Sequence, residues 1–125
     1  MILAIDFDGT ITEKSAYPTT GKIRPEAITF LKSLREYGAK LILWTCRTGA
    51  DLDEAVRLCY EHGLVFDAVN DNIRLNNQGK NSRKVYADYY IDDKNGMCEI
   101  DWLVLYTDLR QKLIYNKEEN KNENS

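Results

Sequence analysis

Apolar residues along this chain fall into two alternating rhythms. Met1-Ile-Leu-Ala-Ile5 is an unbroken apolar run that stops abruptly at Asp6, the pattern of a strand buried on both faces of a parallel sheet. Similar runs recur at Lys40-Leu-Ile-Leu-Trp44, ending at Thr45, at Val65-Phe-Asp-Ala-Val69, and at Tyr89-Tyr-Ile91, which leads straight into Asp92 and Asp93. Helical spacing fills the intervals. Pro25 opens one helix, with Ile28, Leu31 and Leu34 on one face and Gly38 at its stop. A second spans residues 52–62, where Leu52, Val56 and Cys59 share a face and Gly63 follows. A third begins after Asp101, a good N-cap, and carries Trp102, Leu105, Tyr106, Leu109 and Leu113.

Strands alternating with helices predict an α/β fold: a three-layer, doubly wound, Rossmann-like arrangement with a mainly parallel sheet covered on both sides. Ligands bind such sheets at the carboxyl ends of the strands, so Asp6, Thr45 and Asp92 are expected in one crevice. Residues 10–24 turn polar around Pro18 and Gly21 and predict a loop or short hairpin, enough for a small flap. Residues 70–83, rich in Asn and containing Gly79, read as irregular. The 125 residues accommodate one domain, over 1–115. The polar stretch 116–125 has nothing to bury and predicts a disordered tail.

Composition narrows the class. Apolar residues at 43% and charged ones at 30% suit a soluble globular protein, and no apolar run approaches bilayer length, which predicts a cytoplasmic protein without a membrane span. Cys46, Cys59 and Cys98 are odd in number and lack C-x-x-C spacing, which argues against a disulfide framework or zinc site and fits a reducing compartment. The net charge of -3 disfavours nucleic acid and anionic lipid as partners, and the small group Lys80, Arg83 and Lys84 reads as a solvated loop.

Chemistry concentrates in Asp6-Phe-Asp8-Gly9-Thr10. Two carboxylates in one turn repel each other and call for a cation, and Asp92 with Asp93 at another strand end supplies the oxygens that a hard ion such as Mg2+ prefers. The bland alternative is that Asp6 and Asp8 merely cap a turn beside Gly9. Four carboxylates at strand ends argue against that.

The segment Asp6-Phe-Asp-Gly-Thr10 resembles the first motif, D-x-D-G-T, of the haloacid dehalogenase-like superfamily. Thr45 resembles its second motif, Lys84 the third and Ile91-Asp-Asp93 the fourth, in the family's order over roughly positions 1–110. The resemblance implies a Mg2+-dependent phosphatase in which Asp6 attacks phosphorus and carries an aspartyl-phosphate that water then hydrolyses. It implies that Asp8 protonates the leaving oxygen and later takes a proton from water, while its carbonyl joins Asp6 and Asp92 on the metal. Thr45 and Lys84 would hold the phosphoryl oxygens, helped by backbone N–H groups after Asp6 and Thr45, the latter at Cys46. Arg47, next to Thr45, reads either as a further phosphate contact or as a rim residue. Asp93 would stand in the metal's outer shell or orient Lys84. Asp8 favours phosphoryl transfer over carbon–halogen cleavage, since a halide leaves without a proton. Neither interval that holds a cap domain in larger members is long enough here, which implies an uncapped site. A small phosphorylated metabolite is the expected substrate, with a phosphorylated macromolecule as alternative, and a homo-oligomer would cover the open crevice.

Other readings compete. Lys80 is available in place of Lys84. A cysteine phosphatase built on Cys46 needs an arginine six residues on, where Leu52 stands. A phosphoacceptor receiver also combines strand-end aspartates, Thr, Lys and Mg2+, but it separates the acidic pair from the phosphorylated Asp, whereas here D-x-D occupies one turn. A binding module that keeps the metal site without turnover is the third. His62 before Gly63 reads as a helix-end residue, Trp44 and Trp102 as core, and one of Tyr86, Tyr89 and Tyr90 as a wall of the crevice.

Overall fold

The computed structural model describes residues 1–14, 17–73, 83–96 and 99–123. Four parallel strands, β1 (Ile2–Ile5), β2 (Lys40–Leu43), β3 (Ala68–Val69) and β4 (Tyr89–Ile91), form one sheet in the order β3-β2-β1-β4. Among the described residues three helices accompany them: α1 (Pro25–Glu36), α2 (Gly49–Glu61) and α3 (Trp102–Glu123). The chain thus has a Rossmann-like α/β fold. It starts at the centre of the sheet, winds outward to β3, and returns to lay β4 on the other side of β1.

Helix boundaries follow local chemistry. Pro25 occupies the first turn of α1, where its missing N–H costs nothing. Both α1 and α2 end in the same motif: Gly38 and Gly63 take positive φ, and the N–H groups of Ala39 and Leu64 reach back to the carbonyls of Leu34 and Cys59. The apolar contact that accompanies this motif falls among buried core residues in both cases. Asp101 caps α3 through a 3.2 Å hydrogen bond from the Val104 N–H.

The three helices share one face of the sheet. Leu3 and Ile5 of β1, Leu41 and Leu43 of β2 and Ile91 of β4 pack with Leu31 and Leu34 of α1, Ala55 and Cys59 of α2, and Trp102, Leu109 and Leu113 of α3. Phe30 of α1 stacks on Tyr106 of α3 at 4.7 Å between ring centres, and Ser33 Oγ hydrogen-bonds the Tyr106 hydroxyl at 2.7 Å. The opposite face is smaller: Ala4 and Ile42 pack with Val85 and Ala87, with Trp44, Ala68 and Ile73 at the margin. Among the described residues all three helices lie on the first face, and the second is met by Val85 and Ala87 of the segment before β4.

Two expectations change. β3 shortens to Ala68–Val69 because Asp67 turns inward along the sheet edge, accepting the Leu41 N–H at 2.9 Å and pairing with Arg35 at 3.2 Å. The predicted disordered tail is helical through Glu123, an exposed continuation of α3 sustained by good helix formers and by i,i+4 pairs such as Tyr115 with Glu119. Residues 12 and 23 form an antiparallel bridge, as a small flap requires, and no inserted cap occurs among the described residues. Among these residues no helix is long and apolar enough to cross a membrane. Cys98 and Lys80 lie outside the described residues.

Candidate functional site

Strand ladders run one residue past each strand end and set the site's geometry. The Asp6 N–H donates to the Ile91 carbonyl at 2.9 Å, the Trp44 N–H to Ile5 at 2.8 Å and the Asn70 N–H to Leu43 at 2.8 Å. The register makes Ile5 level with both Leu43 and Ile91. Asp6 is consequently level with Trp44 and Asp92, and Thr45 stands one step further along than the equivalence drawn from the sequence.

Asp6, Asp92 and Asp93 converge. Each offers one carboxylate oxygen, all within 4.8 Å of one another, on half-buried side chains. The Thr10 hydroxyl lies between Asp6 Oδ2, at 3.3 Å, and Asp93 Oδ1, at 3.4 Å, and accepts the Asp93 N–H at 2.8 Å. Gly9 makes the approach of the two loops geometrically available: its φ is +81°, and a Cβ there would overlap the Asp93 carboxylate. Its N–H is held by Thr12 Oγ1 at 2.9 Å. Burial, then the Asp92 charge, then the hydrogen bond with Asp93 push the Asp6 carboxyl up to about 7 from an ordinary 3.8, against an opposing Phe7 N–H. A divalent cation would remove that repulsion, and an all-oxygen donor set fits a hard one. Asp93, expected in an outer shell or orienting Lys84, stands beside Asp6 and Asp92 in this cluster.

Asp8 is held by Arg47. Arg47 Nε donates to Oδ2 and its NH2 to Oδ1, both at 2.7 Å, and the Arg47 side chain is 1% exposed. The same guanidinium donates to the carbonyls of Thr19 at 3.0 Å and Asp51 at 3.3 Å, with its carbon 5.1 Å from the Phe7 ring centre and 5.3 Å from that of Tyr17. The hydrogen bond with Asp8 raises the Arg47 pKa further above its ordinary value. From the sequence, Arg47 reads as either a phosphate contact or a rim residue. It is instead the bolt that joins the first turn, the flap and the start of α2, and its burial follows from finding a carboxylate, two carbonyls and two rings together.

Thr45 is half-buried, its N–H donating to Asn70 Oδ1 at 2.8 Å and its hydroxyl accepting the Arg47 N–H at 3.2 Å. Cys46 beside it is exposed. Lys84 lies with Nζ 4.6 Å from the Tyr90 ring centre, and Tyr90 in turn donates to the Val85 carbonyl at 2.6 Å. Two contributors went unassigned in the sequence. Thr10 was visible in the motif. Asn70, with φ of 50°, sits where Asn tolerates the left-handed region, directly after a strand, and that position was the available signal.

Two hollows flank the carboxylates. One of about 200 Å³ lies beside Gly9 and Asp93, walled by Lys14, Arg24 and Trp102. A wider groove of about 500 Å³ passes Asp92 and is lined by Tyr90, Ile91, Val104 and Leu105. Trp102 is core, its indole N–H directed at the Thr10 carbonyl at 3.3 Å, while Trp44 borders the smaller apolar cluster. Cys59 is buried, with its thiol pushed up to about 12, an inert packing residue. His62 directs Nδ1 at the Leu58 carbonyl, 2.8 Å away, at the end of α2.

Fold and site together define a class: a small parallel α/β protein with a carboxylate cluster at the ends of adjacent strands. No family model matches the chain, and no curated protein matches it. A solved structure, that of a conserved protein coded by a locus from Bacteroides thetaiotaomicron, is similar at 43% sequence identity with a TM-score of 0.80, over 90% of this chain and 91% of that one. The chain belongs to the family of that conserved Bacteroides protein.

Proposed function

We propose that this chain is a haloacid dehalogenase-like, Mg2+-dependent phosphatase working through an aspartyl-phosphate on Asp6. The observation that carries the reading is the meeting of Asp6, Asp92 and Asp93 oxygens within 4.8 Å at the ends of β1 and β4. Packing gives no reason to gather three carboxylates there, and their mutual repulsion is relieved by a cation. Asp6, Asp92 and Asp93 would hold the ion. Bound there, Mg2+ supplies the positive charge that screens a phosphate from the carboxylate attacking it.

Asp6 attacks phosphorus in line, the bond to the leaving oxygen breaks, and water then attacks the aspartyl-phosphate to regenerate Asp6. The half-buried Thr45 is suited to hold a phosphoryl oxygen. Lys84 is retained as the cationic partner suggested by motif order. The open crevice suits a small phosphorylated metabolite, with a neighbouring copy as cover.

The bidentate hold of Arg47 on Asp8 favours a second reading, since it engages both oxygens that the expected acid/base role would use. In that reading the chain binds metal and phosphate, or accepts a phosphoryl group, without turnover. Phosphate release from a panel of phosphorylated compounds, with and without Mg2+, for wild type beside Asp6→Asn, separates the two. Mg2+-dependent release that vanishes in Asp6→Asn supports the phosphatase. A lasting phosphoprotein, or inertness in Mg2+, supports the second reading.

A further inference from the structure

We propose that Arg47 withholds Asp8 from the leaving oxygen, so that the site takes phosphoryl donors whose leaving group departs as a stable anion. Acyl phosphates, phosphoanhydrides and aryl phosphates have such leaving groups; alkyl phosphates do not. The inference rests on the phosphatase reading and names the substrate class of that site.

Its basis is the completeness of the clamp. Arg47 meets Asp8 side-on, one N–H to each oxygen at 2.7 Å, which is the geometry of the strong fork pair. An acid catalyst must present an O–H to the departing atom, and here both oxygens are turned to N–H donors. Nor is the pair loosely held. The guanidinium is fixed at the same time by the Thr19 and Asp51 carbonyls and lies against the Phe7 and Tyr17 rings, at 1% side-chain exposure. Freeing Asp8 would leave a buried cation without its counter-ion. The carboxylates nearest Asp6, those of Asp92 and Asp93, belong to the cation cluster.

The chemistry balances without an acid. An Asp6 oxygen bonds to phosphorus, and the electron pair of the breaking P–O bond leaves with a carboxylate, phosphate or phenolate oxygen, which needs no proton. Water then attacks the same phosphorus, the pair of the Asp6–phosphorus bond returns to the Asp6 carboxylate, and the proton of water passes with the phosphate to solvent. An alkoxide leaving group lacks that option and forfeits the roughly 10²–10⁴-fold that a positioned acid contributes.

The test is a leaving-group series on the full chain with Mg2+: acetyl phosphate, pyrophosphate, p-nitrophenyl phosphate, phenyl phosphate and glycerol phosphate, comparing kcat/KM. We expect a steep decline as the leaving group becomes more basic, with glycerol phosphate about 10² or more below acetyl phosphate. Glycerol phosphate turned over within tenfold of acetyl phosphate overturns the proposal and leaves the phosphatase reading standing. No release from acetyl phosphate overturns both. Arg47→Lys, which keeps the charge and loses the fork, is expected to flatten the decline tenfold or more while circular dichroism reports an intact fold. An unchanged decline in folded Arg47→Lys overturns the role of the clamp, and the wild-type series decides by itself should that variant not fold.

Discussion

Without a cation, the three-carboxylate cluster makes the protein less stable as pH rises. Asp6 has its carboxyl pushed up to about 7 from 3.8 by burial, by Asp92 and by the proton shared with Asp93. The folded chain therefore binds that proton more tightly than the unfolded chain, and the associated stability is complete below the unfolded value and lost as pH climbs through 7. At about 1.4 kcal/mol per unit, a shift of this size corresponds to about 4 kcal/mol at most. Asp6 is only half-buried, and solvent screening brings the expected effect to about 2 kcal/mol. For a chain of this length the whole effect is about 8 °C in Tm, of which about 5 °C falls between pH 5 and pH 8. Thermal unfolding in chelator across that range, for wild type and Asp6→Asn, reads it directly. The neutral isostere should abolish most of the slope. Millimolar Mg2+ should recover the lost stability of wild type at pH 8 and do little at pH 5, where proton and cation compete for the same oxygens. A wild-type slope equal to that of Asp6→Asn, or equal stabilisation of both by Mg2+, would refute the account.

Three further outcomes follow from the geometry. Gly9→Ala forces a Cβ onto the Asp93 carboxylate at a φ of +81°, so it should cost at least about 2 kcal/mol in chemical denaturation and abolish Mg2+-induced stabilisation. Asp67→Ala removes the acceptor of the Leu41 N–H and the Arg35 partner, and should cost about 1–3 kcal/mol at pH 7. Burial works against the Asp67 charge, but the Leu41 N–H and Arg35 outweigh it and lower the pKa, so the penalty should shrink as pH falls below 3.8; a pH-independent penalty would count against that ion pair. Residues 117–121 at the end of α3 are exposed, so truncation after Asn116 should alter stability by less than about 0.5 kcal/mol, whereas a larger loss would mean that the end of α3 packs.

Much of this was readable from the sequence because it depends on short-range pattern. The unbroken apolar runs, Pro25, Gly38, Gly63 and the Asp101 cap each carry their structural reason within a few residues, and the corresponding elements begin or end within a few positions of expectation. What the sequence concealed depends on partners far along the chain. Nothing near Val65 tells that Asp67 will serve the Leu41 N–H 26 residues away and so cut β3 short. The packing of Val85 and Ala87 on Ala4 and Ile42 joins residues more than 40 positions apart, and no local pattern announces it. The tail was misread because polarity was taken as absence of structure, when a helix already nucleated by Trp102 and Leu109 needs only favourable propensity to continue.

The same distinction runs through the site. The convergence of Asp6 and Asp92 was legible because each stands where an apolar strand stops. The place of Arg47 was not, because whether an arginine faces solvent or a carboxylate depends on what the fold brings opposite it, and here that is Asp8 from 39 residues earlier. The misplacement matters chemically. An exposed Arg47 would have been one more positive charge for a phosphate and would have left Asp8 free to donate a proton. A buried one takes the motif's second aspartate into the scaffold, so in the proposed reading a chain whose local sequence resembles a general phosphomonoesterase would carry a three-dimensional restriction on the leaving group. Motif order identifies the residues; the pairing between them, formed only on folding, sets which of the motif's roles each one is able to play.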